Sequence, residues 1–288
     1  MKILLTGGTG FIGSRLRTRL EEAGHAVRVV SRGAGGDVTW EPEALRAAVG
    51  ESEAVIHLAG EPLLGRRWTA RQKERLRTSR VDTTRQLAAA VAEAKPRAFL
   101  TASAIGYYAP DADRRYTVDD EPADDFLGRV CAEWEAARQP AIDAGVRTAT
   151  VRIGVVQGRG GGALQKMLLP FRLGVGGPVA SGRQWVSWIH MEDLLRMFEW
   201  LLDNEDASGF YNGTAPTPVT NRELSKALGR VLRRPAIFPV PGFVLRIALG
   251  EVSVLLTEGQ HVTPTRALAG GFSFRFPEIE PALRDLLG

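Results

Sequence analysis

Short apolar runs alternate with longer segments of helical periodicity along the first half of the chain. The apolar runs occupy residues 2–5, 26–30, 54–58, 99–103 and 148–156, with a shorter one at 38–40. Between them, apolar residues recur at helical spacing in segments 11–23, 43–49, 69–94 and 125–144. Strands that alternate with helices are typical of βαβ units. The pattern therefore predicts an α/β fold with a Rossmann-type, doubly wound parallel sheet.

The character of the chain changes near residue 156, because glycine becomes frequent between residues 158 and 178. Helical patterns return at 191–203 and 222–232, and a loop rich in Gly, Asn, Thr and Pro separates them. We expect residues 1–156 to form the sheet domain, with later segments returning to it. Residues 157–288 are expected to form a smaller, mixed region on the substrate side.

Charge and composition narrow the classes of function. The 288-residue chain carries 37 Lys and Arg against 33 Asp and Glu, a net charge of +4. These charges are spread along the chain, which favours an anionic small ligand over nucleic acid. The single cysteine, Cys131, excludes an internal disulfide and favours a reducing, cytoplasmic location.

Neither a targeting segment nor a membrane span is expected. The longest apolar stretch, residues 238–256, is interrupted by two prolines, an arginine and a glutamate. The chain also begins directly with its first apolar run and a glycine cluster, without a signal-peptide pattern.

A glycine-rich turn follows the first predicted strand and precedes the first predicted helix. Its glycines at positions 7, 10 and 13 are spaced so that backbone amides at the helix N-terminus can approach a pyrophosphate. We predict a dinucleotide site here, although a purely structural turn is the alternative. Its predicted cofactor-binding residues are Gly7, Thr9, Gly10, Phe11, Ile12 and Gly13.

The end of the second predicted strand distinguishes between the two nicotinamide cofactors. An acidic residue there would bind the adenosine ribose of NAD(H), whereas a cation would pair with the 2′-phosphate of NADP(H). The chain has Ser31 and Arg32 at this point and no acid in the next few positions. Because arginine can pair bidentately with phosphate, NADP(H) is the predicted cofactor. A solvated loop arginine is the alternative interpretation of Arg32.

Six motifs in their expected order resemble the extended short-chain dehydrogenases/reductases of the NAD-dependent epimerase/dehydratase family. They are Gly7–Gly13, His57–Gly60, Ser103–Tyr107, Val151–Val156, Trp188–Leu194 and Tyr211–Gly213. The chain is most similar to an epimerase-like subgroup, some members of which are labelled cell division inhibitors. Residues 31–32, 171–178 and 258–264 carry that similarity, and residues 240–287 resemble the subgroup's small C-terminal domain of unknown function.

The resemblance implies further positions at the cofactor and the substrate. Additional cofactor contacts are expected from Leu58, Ala59, Gly60 and Val156. Arg80 stands where the family has a structural asparagine, and we expect it to reach the cofactor instead. Arg183 and Trp185 lie where such folds build a substrate pocket, to clamp an anion and to stack on a ring. Core packing is an equal interpretation of the tryptophan.

A cluster of potential metal ligands, His190 with Glu192 and Asp193, is interpreted instead as the junction between a loop and a helix. An acid near a helix start interacts favourably with the helix dipole, so this position does not require a metal. No metal site is expected.

The family's catalytic pair is absent from this chain. Members transfer a hydride with the help of a tyrosine, a lysine four residues later that lowers the tyrosine pKa, and a serine or threonine. None of the four tyrosines is followed by lysine at that spacing, and Phe126 and Val130 stand near the positions of the missing pair. The remaining catalytic candidates are Ser103, Tyr107 and Tyr108. The alternatives are a loop-capping serine and packing aromatic rings.

Two classes of function are consistent with these observations. The first is an NADP(H)-dependent oxidoreductase or epimerase-like enzyme, acting on a small molecule through Ser103 with a proton from water, Tyr107 or Tyr108. The second is a non-catalytic NADP(H)-binding sensor that acts through a protein partner. The sequence leaves the substrate open, and either a monomer or a homodimer is compatible with it.

Overall fold

A six-stranded parallel sheet forms the centre of the protein, with its strands ordered Gly209–Gly213, Thr148–Ile153, Ala98–Ala104, Ala54–His57, Lys2–Thr6 and Ala26–Val30 from edge to edge. The structure is a computed structural model that describes residues 1–33 and 35–288. The strands are β1 Lys2–Thr6, β2 Ala26–Val30, β3 Ala54–His57, β4 Ala98–Ala104, β5 Arg115–Tyr116, β6 Thr148–Ile153, β7 Val155–Gln157, β8 Trp185–Val186, β9 Trp188–His190, β10 Gly209–Gly213, β11 Val219–Thr220 and β12 His261–Val262. The helices are α1 Gly13–Glu22, α2 Pro42–Gly50, α3 Ala70–Ala94, α4 Phe126–Ala136, α5 Gln139–Asp143, α6 Gly162–Arg172, α7 Met191–Asp203, α8 Asn221–Leu232, α9 Gly242–Leu249, α10 Val254–Thr257, α11 Thr265–Ala269 and α12 Ile279–Leu287.

Helices cover both faces of the sheet. On one face, α1 and α7 bury Leu16, Leu20 and Phe198 against the strands. On the other face, α2, α3 and α5 bury Leu45 and Leu87. Strands that are buried on both faces need apolar side chains at nearly every position, which explains the continuous apolar runs in the sequence. The predicted Rossmann-type doubly wound sheet is confirmed.

The second half of the chain contributes both to the sheet and to a separate core. Strand β10 pairs with β6 at the edge of the sheet, and α7 packs on the sheet's face. Helices α6, α8 and α12 form their own core, which includes Leu164, Leu228 and Leu283. Thr220 caps α8 by accepting a hydrogen bond from the backbone amide of Glu223.

Three predicted elements differ from the structure. The helix expected at 125–144 is divided into α4 and α5, with Pro140 in the first turn of the second helix. The strand expected at 148–156 breaks at Gly154, where a Cβ atom would lie 2.4 Å from the Ser187 carbonyl oxygen. After the break, β7 pairs with β9 outside the main sheet. The short strand expected at 38–40 is reduced to one bridge between Val30 and Val38.

Candidate cofactor and active site

The glycine-rich turn between β1 and α1 is closely packed on its inner side. Gly7 has φ +73°, a conformation that favours glycine, and a Cβ there would lie 2.7 Å from the Leu58 carbonyl carbon. A Cβ on Gly13 would lie 2.1 Å from the Gly7 carbonyl oxygen, which accepts a hydrogen bond of 2.9 Å from Gly10 N. A larger residue at position 7 or 13 would therefore disrupt the turn.

The outer side of the same turn is open. Around Gly10, the Gly7 carbonyl oxygen is the one described atom within 4 Å of a hypothetical Cβ, beyond the immediate chain neighbours. Ile12 stands at the N-cap of α1 and provides no side-chain hydrogen bond to the first turn. The Ser14 amide donates a hydrogen bond of 2.9 Å to the Gly10 carbonyl oxygen. The amides of residues 11–13, by contrast, have no acceptor among the described residues and can approach an anion such as a pyrophosphate.

The loop after β2 lies next to this turn. A Cβ on Gly35 would be 3.2 Å from the Thr9 Cγ2 atom. The Ser31 hydroxyl accepts a hydrogen bond of 3.2 Å from Gly33 N, and Arg32 is exposed on the same loop. The structure therefore places Thr9 of the glycine turn beside the loop that carries Ser31 and Arg32.

Arg80 of α3 holds the segment that follows β3. Its guanidinium donates hydrogen bonds to the carbonyl oxygens of Glu61 at 2.9 Å and Leu76 at 3.0 Å, and it lies within 3.3 Å of a hypothetical Cβ on Gly60. Burial lowers the pKa of Arg80. Leu58 and Ala59, in the same segment, lie directly against Gly7. Arg80 thus lies beside the predicted cofactor loop and holds it through the Glu61 carbonyl, while its bond to Leu76 stays within α3.

Phe11 packs against a second group of glycines. Hypothetical Cβ atoms on Gly158, Gly161 and Gly162 would lie 2.4–2.9 Å from ring atoms of Phe11. The glycines after residue 157 therefore leave space for the Phe11 ring. The sequence alone does not reveal this reason for the frequent glycines. Val156, in β7, is partly buried and packs against the main core.

Ser103 belongs to a buried network of charged and polar groups. Its hydroxyl donates a hydrogen bond of 2.6 Å to Glu135 Oε1. Arg152 binds the same carboxylate in a bidentate manner, with Nε and Nη2 each 2.9 Å from one oxygen. Side-chain exposure is 2% for Arg152 and 5% for Glu135, so water does not screen this pair.

Tyr108 completes the network and is fully buried. Its hydroxyl accepts a hydrogen bond of 2.8 Å from Arg152 Nη1 and donates one of 2.7 Å to Asn212 Oδ1. Burial raises the pKa of Tyr108 to about 12. With both hydrogen-bonding directions occupied, the phenol is not free for a substrate, and this placement does not support the proton-transfer role predicted for Tyr108.

Tyr107 is only partly buried. Its ring lies against Arg152, with the guanidinium carbon 3.5 Å from the ring centroid. Burial raises the pKa of Tyr107, so its phenol is protonated at neutral pH. Of the three predicted catalytic residues, Tyr107 is therefore the one that retains exposed surface.

Helix α4 directs Leu127 and Cys131 toward Ser103. Each of these residues lies one position after the residue that the sequence indicates, Phe126 or Val130. The Cys131 thiol contacts Ser103 and the backbone of Ala104, and burial raises its pKa to about 12. A hypothetical Cβ on Gly106 would lie 3.4 Å from Leu127 Cβ. Phe126 instead packs edge-to-face on Trp68, with ring centroids 5.4 Å apart. The assignment of Phe126 and Val130 to the missing pair is therefore corrected to Leu127 and Cys131, neither of which can replace tyrosine and lysine.

The predicted substrate residues, Arg183 and Trp185, lie just before and at the start of β8. Arg183 is exposed before β8. Trp185 donates a hydrogen bond of 2.7 Å from Nε1 to the Ala112 carbonyl, and its ring meets His261 edge-to-face at 4.4 Å. These contacts hold loops together, in agreement with the packing interpretation of Trp185.

A cavity of about 550 Å³ lies between the loop at 64–67, helix α6 and the segments around α9. Neither Arg183 nor Trp185 lines it. The sequence does not predict this cavity. The apolar stretch 238–256 is visible in the sequence, and part of it forms one wall of the cavity.

Two further observations concern metals and membranes. Across residues 1–33 and 35–288, no group of three or more His, Cys, Asp or Glu side chains could hold a metal ion. No helix in the described part of the chain is long and apolar enough to span a bilayer.

A parallel sheet with a glycine-rich turn opening its first helix defines a dinucleotide-binding α/β protein. Comparison with family models is more specific. Residues 3–212 match the NAD dependent epimerase/dehydratase family, and residues 240–286 match a domain of unknown function (DUF1731). The chain belongs to the NAD dependent epimerase/dehydratase family, which confirms the predicted resemblance.

Similar proteins match this chain over nearly its whole length. The mouse epimerase family protein SDR39U1 is 43% identical over 294 residues, covering 100% of both chains. The crystal structure of human epimerase family protein SDR39U1 (isoform 2) with NADPH has a TM-score of 0.94 and 40% identity, over 99% of each chain. A UDP-glucose 4-epimerase from Thermotoga maritima, solved with UDP-glucose, has a TM-score of 0.80 at 19% identity, which supports the fold alone.

The buried ion pair leads to a prediction about stability. Glu135→Ala should lower the free energy of unfolding by about 3–5 kcal/mol, because Arg152 would be left as an unpaired buried charge. Urea unfolding measures this change. Glu133→Ala is the matched control on the same helix, because its pair with Arg77 is exposed and should cost at most about 1 kcal/mol. Equal losses for the two variants would contradict the role assigned to the buried pair.

A second prediction concerns pH and His57, which is fully buried at the end of β3. Its ring nitrogens lie 2.6 Å from Thr6 Oγ1 and 2.8 Å from Thr84 Oγ1, and burial lowers its pKa to about 3. The unfolded chain binds a proton on this residue below its ordinary pKa of about 6.5, whereas the folded protein does not. Stability should therefore fall as pH decreases from 6.5 toward 3.

Comparison with His57→Gln isolates this contribution. Between pH 7 and 5, where few carboxylates titrate, the native protein should lose about 2 kcal/mol more than the variant. Urea unfolding at the two pH values provides the measurement. The same pH slope in both proteins would show that His57 is not the responsible group.

Proposed function

We propose that this chain binds NADP(H) and uses it as an oxidoreductase on a small molecule, in the direction of reduction. The observation that carries the proposal is the glycine turn, which is packed inside and open outside. Gly7, Gly10 and Gly13 would hold the pyrophosphate, and Arg32 would pair with the 2′-phosphate. The human relative solved with NADPH supports the same choice of cofactor.

Bound NADP(H) supplies or accepts a hydride, so this chain must position a substrate and manage a proton. Ser103, Tyr108 and Cys131 cannot readily do so, because each is buried and held in its neutral form. Tyr107 has a raised pKa and is protonated at neutral pH, so it can donate a proton but is a poor base. Proton donation accompanies reduction, whereas oxidation requires a base. In the direction of reduction, Tyr107 or water is therefore the proton source.

A second candidate function is an NADP(H)-binding module that a partner protein recognises. The observation that favours it is the network around Ser103, in which groups at the expected catalytic position serve structural contacts. Such a module would bind the cofactor without consuming it.

Turnover distinguishes the two functions. We expect purified protein to oxidise NADPH slowly with at least one member of a panel of carbonyl compounds. Tyr107→Phe should then reduce the rate if the phenol donates the proton, by up to about 10²-fold. Tyr116→Phe is the control, because the Tyr116 ring is buried and stacks on Tyr108, with ring centroids 5.0 Å apart. Tight NADPH binding without turnover on any compound would contradict the enzyme and favour the binding module.

The role of Arg32 leads to a prediction about cofactor choice. Arg32→Asp should weaken NADPH binding by at least about tenfold and leave NADH binding nearly unchanged, because only NADPH carries the 2′-phosphate. Fluorescence titration with each cofactor measures both constants. Arg234→Asp, on an exposed loop after α8, changes the net charge equally and should affect neither. Equal losses of NADPH and NADH affinity in Arg32→Asp would contradict the assigned contact.

A further inference from the structure

The walls of the cavity of about 550 Å³ are mostly apolar. Its apolar lining includes Met167, Phe171, Leu245, Leu249, Val252 and Leu256. Among the described residues that line it, none is Asp or Glu. The volume is within the range of about 300–1,000 Å³ that small-molecule ligands occupy. The cavity therefore suits a ligand with a substantial apolar body.

Three cations lie at the edge of this apolar space: Arg66, Arg67 and Lys166. The Arg67 guanidinium donates hydrogen bonds to the carbonyl oxygens of Ile247 at 2.5 Å and Ala248 at 3.1 Å, and so holds the C-terminal end of α9. Arg66 and Lys166 are exposed, and within the described residues neither forms an ion pair. These two cations are therefore available to an anionic group on the ligand.

Helix α9 is apolar, and part of its apolar surface lines the cavity. The helix has no fully buried residue, although seven of its eight positions are Gly or apolar. Leu245 and Leu249 face the cavity, whereas Phe243 and Ile247 are 68% and 72% exposed. Apolar surface of this extent is typical of grooves that bind ligands.

We propose that this cavity binds an anionic amphiphile, with an apolar chain or ring system along the walls and a carboxylate or phosphate against Arg66 and Lys166. A nucleoside diphosphate sugar fits less well, because its hydroxyls and base edges would need polar partners that these walls lack. Among the described lining residues, Asn221 is the one uncharged polar side chain, and its Oδ1 already accepts a hydrogen bond of 2.7 Å from Val179 N. Binding itself is independent of the reaction, whereas the ligand's identity as the substrate rests on the function proposed above.

Displacement of a fluorescent fatty acid from the full-length protein tests this proposal. Dansylaminoundecanoic acid is the probe, and palmitate, hexadecyl phosphate, hexadecanol, hexadecyltrimethylammonium and UDP-glucose are the competitors. The two anions should displace the probe, with hexadecanol about tenfold weaker because it lacks the charge. The cation and UDP-glucose should not displace it. The order of palmitate and hexadecyl phosphate shows which anionic group the site prefers.

Two variants locate the site. The double variant Arg66→Ala/Lys166→Ala should weaken palmitate about tenfold and hexadecanol little. The matched double variant Arg71→Ala/Lys226→Ala removes two exposed cations that do not line the cavity and should change neither. Met167→Trp should fill the space and abolish probe binding, whereas Leu173→Trp, at a 69% exposed position, should not.

NADPH titration of every variant separates this inference from the proposed function. If NADPH binds but neither anion displaces the probe, the amphiphile site is refuted while cofactor binding stands. If palmitate binds but NADPH does not, the proposed function fails and the amphiphile site remains. Displacement by UDP-glucose, or a dimer at higher protein concentration that excludes the probe, would also overturn the proposal.

Discussion

The buried ion pair between Glu135 and Arg152 is the interaction on which the candidate active site depends. Removing two charges from water costs several kcal/mol for each ion, and the structure offsets this cost by bidentate geometry and further hydrogen bonds. Ser103 and Tyr108 provide those additional bonds. The pair joins α4 to the carboxyl ends of β4 and β6, where a doubly wound sheet places its ligand. The hydroxyls of Ser103 and Tyr108, which could otherwise transfer protons, therefore form structural hydrogen bonds.

The predicted cofactor site is built by different residues. Close backbone packing fixes the glycine turn through Gly7 and Gly13, without any titratable group. Arg80 connects the two regions, because it holds the segment after β3 and lies beside the Trp134 ring at 5.3 Å on α4. A chain of this kind can lose the family's tyrosine and lysine and still keep a cofactor site. The amphiphile site that we propose lies in the apolar cavity beside α6 and α9.

Local sequence patterns predicted the parts of the structure that local physics determines. The apolar runs predicted the strands of the sheet, the periodicity at 191–203 predicted α7, and the glycine spacing predicted the turn between β1 and α1. The Glu135–Arg152 pair was missed because charged residues in an amphipathic helix and a strand usually face water, and only tertiary packing shows otherwise. Likewise, the one-residue difference that turns Leu127 and Cys131 toward Ser103 depends on how α4 packs. The 238–256 stretch was recognised as apolar, but its partners come from distant segments.

Burial around Ser103 holds the Tyr108 phenol and the Cys131 thiol in their neutral forms, whereas Glu135 and Arg152 stay charged as a pair. Cys131 reports on this directly, because it contacts Ser103 and is the single cysteine of the chain. The most direct measurement is the rate of its alkylation by iodoacetamide in the native protein, from pH 7 to 9. We expect slow reaction throughout this range and rapid reaction only after unfolding, since burial raises the pKa of the thiol to about 12. Rapid native alkylation that rises with an apparent pKa near 8 would contradict the account.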